Sequence, residues 1–398
     1  MTTQSMQALL KAGEVDKARE LAESALSKNK DDRVALLTLA KLASVDGDWD
    51  RAEQLVNQAT RGGVEDADSK LVKAALASSR GDLEGARTLY TQIIREAKPP
   101  RAEAHFGLSF ILGGLNDFPG ARKELERAVQ LDPDVAQYRF NLARVLLAQE
   151  ELTLALPHLQ RALELNPLNP PVYVTWTIIL QQLGELAQAE DLLRDGLKLM
   201  PDQPELLNAL SRVLAARGNV PEAFGIAKHL AREFPDDPEA QGNLARMMMA
   251  TGHRVEALEL VRKLEARGQA TAQTKSIEAM VLEAGAPPDV EGAVHAWRAA
   301  MDLDPEDWAP ANNLGNLLMR WEEGGDPEER LTAAIEILEE SRRRAPHRVE
   351  PVLNLAIVHA RKGDKTKAQA MAREVLKLAP ADAKELREQA ERLLQTVR

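Results

Sequence analysis

The 398-residue chain contains no cysteine, which excludes disulfides, thiolate metal sites and a cysteine nucleophile. Aromatic residues make up only 4%, while Ala and Leu abound, as expected of thin helices in close contact. Positive charge is also in deficit. The net charge of -11 argues against nucleic acid, which such a surface repels unless a basic stripe is concentrated somewhere. It disfavours anionic membranes in the same way. No apolar run approaches the length of a membrane span, so no direct membrane insertion is expected. No basic-then-apolar leader opens the chain either: Met1–Lys17 reads as the start of a short amphipathic helix. The expected location is therefore cytoplasmic. The 33 Arg against 18 Lys, with so much Ala, suggest a GC-rich bacterial source.

Chemistry-bearing patterns are missing as well. The histidines at 105, 158, 229, 253, 295, 347 and 359 show no metal-ligand spacing, and no two stand four apart. His359 occupies a position where leucine is the rule, so it reads as a satisfied buried imidazole. No strand precedes a glycine-rich loop, and no G-x-S-x-G elbow occurs. The pairs Gly62-Gly63 and Gly324-Gly325 read as turns, and acidic runs such as Glu339-Glu340 as solvated helix faces. No catalytic residue, metal site or cofactor is expected, and the chain is read as not an enzyme.

What the sequence does have is a period. Eleven alanines, at 18, 52, 86, 121, 155, 189, 223, 257, 293, 334 and 368, recur mostly 34 residues apart. A fixed period of this size means one supersecondary unit stacked many times. In 102–135, Leu108 and Leu112 share one helical face beside small Ser109, and a turn follows at Gly113–Asp117. A second helix carries Ala121, Leu125 and Ala128, and Asp132-Pro133 stops it. A second small-residue series marks the first helices: Ala40, Ala74, Ser109, Ala143, Thr177, Ser211, Ala245, Ala279, Gly315 and Ala356. Two helices approach closely only where their contact positions lack bulk. Each unit therefore reads as helix, tight turn, helix, stop.

This pattern resembles the tetratricopeptide repeat, which places small residues at its eighth and twentieth positions and proline at its thirty-second. The implied fold is all-α, a right-handed superhelical solenoid of tandem helix-turn-helix repeats with a C-terminal capping helix. The register gives units at 1–32, 33–66, 67–101, 102–135, 136–169, 170–203, 204–237, 238–271, 272–307, 308–348 and 349–382, with the cap at 383–398. Leu386, Ala390, Leu393 and Val397 supply the cap's apolar side. At the other end Met6, Leu9 and Leu10 leave an incompletely covered edge. The ninth unit is lengthened at 284–289 and the tenth by a loop at 319–332. Glu278 and Lys73 stand where leucine is usual.

In this family, ligands lie along the inner wall formed by the first helices. The matching positions here include Phe106, Phe110, Phe140, Val174 and Ile178, an apolar stretch suited to anchoring a partner. Arg144, Arg212 and Arg246 make the wall locally cationic in an acidic protein, and guanidinium groups grip carboxylates with paired hydrogen bonds. Asn141 and Asn243 at sixth positions and Asn208 at a fifth offer amides to a peptide backbone. The alternative for these residues is internal: Phe106 and Phe140 pack between first helices, and the arginines pair with carboxylates such as Glu205 and Glu239. The two-carboxylate clamp of chaperone-binding repeats is not matched in any three consecutive units.

The sequence therefore predicts a scaffold or adaptor that holds a protein or peptide segment, one with acidic side chains, in a concave groove. A monomer is favoured over self-association. The alternatives are a self-associating scaffold and an accessory subunit of a bacterial envelope, secretion or motility assembly. An RNA-processing role is least favoured by the acidic balance.

Overall fold

The computed structural model describes residues 6, 8–10, 14–61, 63, 65–321, 325–380 and 383–397. Among them every regular element is an α-helix, mostly of 13 or 14 residues, from Val15–Lys28 to Lys384–Thr396. The chain divides into two compact units, Met1–Leu206 and Leu207–Arg398. The boundary falls inside the helix Pro204–Ala216.

Local chemistry sets where each helix begins. Asp48, Asp82, Asp117, Asp289 and Asp364 each precede a second helix and accept the backbone N–H three residues on, at 2.9 to 3.2 Å. These bonds satisfy an amide that a helix start otherwise leaves without a partner. At four of these five caps the residue just before turns the chain through the left-handed region. Gly47, Gly81 and Gly363 do so without strain, whereas Asn116 and Glu150 occupy the same place at φ 59° and 60°. Asparagine tolerates that conformation far better than glutamate does.

Packing follows the two small-residue series. All eleven periodic alanines are 0% exposed, and the first-helix series from Ala40 to Ala356 is buried as well. Helices therefore meet at close range, and the large side chains fill the space beside the contact. The core is segmented along each unit. In the first unit separate clusters form around Leu36 and Val56, around Tyr90, Ile93 and Ile111, and around Leu125, Leu142 and Leu159. In the second they form around Val261 and Ile277, around Trp297, Leu314 and Leu338, and around Val352 and Val375. Full burial of each such aliphatic side chain contributes roughly 1.5–3 kcal/mol. Helices touch their sequence neighbours and the next like helix, as in Arg33–Val45 against Ala67–Ser79, so stability is a sum of local terms.

The last helix, Lys384–Thr396, caps the second unit: Ala390 is buried, and Leu386 and Leu393 pack on the Val352 and Val375 cluster. Several sequence expectations need correction. Met6 is not left uncovered; it is buried against Ala22, Ala35 and Leu39. The extra residues of the tenth unit mostly lengthen a helix, Pro327–Arg344, and Trp321 and Leu331 pack on the core around Leu338. Residues 322–324 of the expected loop lie outside the described residues. Glu278 is no stray charge in a leucine position. It accepts a 2.9 Å hydrogen bond from the buried Lys275 Nζ, which also donates to Glu265 at 2.5 Å. Lys73 likewise pairs with Glu65. His359 is buried but not satisfied: its Nδ1 has no hydrogen-bond partner and stands 4.0 Å from Asp364 Oδ2.

Candidate functional site

The first helices of the first unit carry the predicted apolar residues on Ala102–Gly114, Ala136–Ala148 and Pro170–Gln182. Helical spacing sorts them by depth. Phe106, Phe140 and Trp176 are half-buried against the core around Leu142 and Leu159. The Phe106 ring lies 4.9 Å, centroid to centroid, from Tyr138, within the range of favourable aromatic pairs. Part of the internal reading therefore holds, because these two phenylalanines spend much of their surface on packing. Val174 is also half-buried.

The ninth positions of the same three repeats behave differently. Phe110 is 67% exposed and Ile178 37% exposed. Between them in register, Arg144 is exposed, and its guanidinium carbon sits 5.8 Å from the centre of the Phe140 ring. That distance is within cation–π range, and it holds the charge over an aromatic face without using its hydrogen-bond donors. Exposing a phenylalanine to this degree loses most of its burial energy, about 2 kcal/mol on transfer scales. Asn141 donates to its own helix, Nδ2 to the Gln137 carbonyl at 2.8 Å.

In the second unit the asparagines correct the sequence reading. Asn208 and Asn243 are 4% and 3% exposed, and Asn243 Nδ2 donates to Asn208 Oδ1 at 3.1 Å. Burial of both amides forces them to satisfy one another. They offer nothing to a partner backbone. The same arrangement recurs between Asn354 Nδ2 and Asn312 Oδ1 at 2.9 Å. A fifth position in one repeat thus pairs with a sixth position in the next, a rule that reading each position in isolation missed.

Asn243 does more than pair. Its Oδ1 also accepts from Arg246 Nη2. Burial pushes the Arg246 guanidinium down to about 10, with repulsion from Arg212 adding to it and Glu239 opposing it. Arg246 Nε is buried with no hydrogen-bond partner. Arg212 is only loosely paired, its Nη1 3.9 Å from Glu239 Oε1. Arg144 belongs to the first unit and Arg212 and Arg246 to the second.

Chemistry of another kind is not assembled. Among the described residues no group of three or more His, Cys, Asp or Glu is placed to hold a metal ion. Among them, no helix is long and apolar enough to cross a membrane.

Models of the tetratricopeptide repeat match residues 9–76, 146–213 and 214–281, with further matches at 111–170 and 350–382. Among curated proteins there is no match. Solved structures resemble the fold at low identity. The yeast protein Tom70 aligns over 100% of this chain and 94% of its own, at 14% identity and a TM-score of 0.57. A tetratricopeptide repeat protein from Parabacteroides merdae aligns over 63% of this chain and 98% of its own, at 18% identity and a TM-score of 0.56. With its helix pairs, its buried small-residue series and repeat models matching more than half of its length, the chain belongs to the tetratricopeptide repeat family.

Proposed function

We propose that this protein is a non-enzymatic scaffold that holds a segment of a partner protein on the first-helix face of its repeats. In the first unit that face is built from Phe110, Arg144 and Ile178, with Phe106 and Phe140 behind it. The observation that carries the reading is the exposure of Phe110 at 67% in a chain with only six phenylalanines. A large apolar ring held in water on a rigid helix is a suitable anchor for a partner. Arg144 beside it adds a donor fork that reads polar groups of the bound segment. Tetratricopeptide arrays are interaction scaffolds in kind, and the family is compatible with this use.

The test compares capture of partners by the native chain and by Phe110→Ser with Arg144→Ser. Captured proteins are re-expressed and titrated one at a time. A partner whose affinity falls at least about tenfold in the double variant, an energy near 1.4 kcal/mol, supports the reading. Unchanged affinity for every partner overturns it. Because Phe110 is exposed, its replacement is expected to leave stability within about 0.5 kcal/mol of native.

A further inference from the structure

We propose that the second helix Val220–Glu233 and the first helix after it, Pro238–Ala250, form a binding site for a small organic anion. Its ligand carries one negative group on an apolar body. The site lies in the second unit, on residues the partner face does not use, and stands apart from the scaffold reading.

The space begins with a missing side chain. Gly225 stands two residues after the periodic Ala223, a place where no other repeat carries glycine. A Cβ built on it meets nothing within 4 Å. Phe224, its neighbour in sequence, stacks on His253 with ring centroids 6.2 Å apart and does not fill the space. The result is an open cavity of about 430 Å³, lined by Ala231 and Leu244 beside Gly225 and by Lys228, His229 and Arg232. Gln241, also in the lining, donates from Nε2 to the Ala231 carbonyl at 2.7 Å and so ties the two helices together there. Ligand pockets usually measure about 300–1,000 Å³, which puts this one in the range of a small molecule.

The charges set the sign of the ligand. Lys228 and Arg232 stand four apart on one helix, a like-charge spacing that weakens a helix. Arg232 is already matched: its Nε and Nη2 donate to Glu233 Oε1 at 3.0 and 2.8 Å. Its Nη2 also lies 3.4 Å from His229 Nδ1. Lys228 has no ion pair or hydrogen bond among the described residues. One positive charge is thus left open, in a chain whose net charge is -11. A single negative group matches it, and a phosphate dianion exceeds it. Lys228, His229 and Arg232 are all exposed, so a ligand reaches them from solvent. Ala231 and Leu244 offer no polar side chain, which makes the rest of the ligand apolar.

The test titrates the full chain at low salt with three probes of one shape, phenylbutyrate, phenylbutanol and phenylbutylamine, followed by saturation-transfer NMR. The acid is expected to bind at least about threefold more tightly than the alcohol, the factor one solvent-exposed ion pair supplies. The amine is expected to bind more weakly than the alcohol. Lys228→Gln should bring the acid level with the alcohol and leave the alcohol unchanged. Gly225→Leu restores the missing side chain and should weaken acid and alcohol alike, by at least about threefold, as apolar contact is lost. Both replaced residues are exposed, so each variant should keep its fold, which circular dichroism checks.

No binding of any probe, equal binding of acid and alcohol, or an acid preference that survives in Lys228→Gln overturns the site. Unchanged binding in Gly225→Leu does the same. So does displacement of phenylbutyrate by an equal concentration of inorganic phosphate, which has no apolar body to seat.

Discussion

Replacing Gly315 with alanine should destabilise the second unit, although alanine is the better helix former and fills this position in most other repeats. Gly315 lies in the helix Ala309–Arg320, and a Cβ built on it falls 2.5 Å from Leu338 Cγ and 2.7 Å from Leu338 Cδ2. Carbon atoms pack at about 3.5–4.0 Å. Leu338 is 0% exposed, so it has no solvent to swing into. Overpacking of this kind costs about 1–3 kcal/mol, while the helix gains about 1 kcal/mol from losing a glycine. The net expectation is a loss of up to about 2 kcal/mol.

Gly225 provides the control. It sits in the helix Val220–Glu233 with nothing within 4 Å of a built Cβ, so Gly225→Ala should stabilise by about 0.5–1 kcal/mol. The same substitution in the same unit thus carries opposite signs, and only the packing differs. Urea midpoints read both changes, together with hydrogen exchange of amides in 309–344, because a repeat array need not unfold in one step. A Gly315→Ala midpoint at or above that of the native chain refutes the reasoning. So does equal loss in both variants.

Three further perturbations test other parts of the structure. Asp66 receives both guanidinium nitrogens of Arg33, at 2.6 and 2.5 Å, and caps Ser69 N at 3.0 Å. Asp66→Ala should therefore cost about 1–3 kcal/mol from the lost cap and ion pair together. The Arg33 guanidinium holds the Asp66 carboxyl well below the usual range. Its contribution is thus present above the unfolded carboxylate value of about 3.9 and lost as pH falls through the folded value, a decline that melting curves at stepped acid pH should show weakened in Asp66→Asn. Glu150→Gly relieves a left-handed backbone at φ 60° and should stabilise by about 0.5–1 kcal/mol after the added chain entropy is subtracted; an unchanged thermal midpoint contradicts this. Burial, aided by Lys367 and Lys362 against Asp364 and Glu339, holds His359 below its ordinary value. Stability should then fall as pH drops below about 6.5, and His359→Leu should flatten that slope between neutral and mildly acid pH.

The helix pairing was legible because smallness at a helix contact is a one-residue requirement. Ala121 or Ala279 reveals it without knowledge of any neighbour, and every member of that series is buried as its spacing implies. The interaction face was legible less evenly. Phe110 and Phe140 look alike in the repeat, yet one is exposed and the other half-buried, because the fifth position of a first helix turns toward the core and the ninth away from it. The asparagines were misread for another reason. Whether Asn243 points outward depends on Asn208, 35 residues earlier, and a pairing across repeats is invisible in a column of sixth positions. Glu278 follows the same logic: its counter-charge, Lys275, stands one helical turn away and was in view only to a reader checking spacing three apart.

The aspartate caps have a consequence for how such a chain can change over generations. Asp48, Asp82 and Asp117 each start a helix using an amide within the same repeat, so the instruction to begin a helix travels with the segment it governs. A gene slip that copies or drops one period leaves both new junctions with their own cap, turn and contact alanine. Growth and shortening of the array are then small mutational steps rather than redesigns. Only residues that reach across repeats, such as the Asn208–Asn243 pair, bind two periods together and resist the cut.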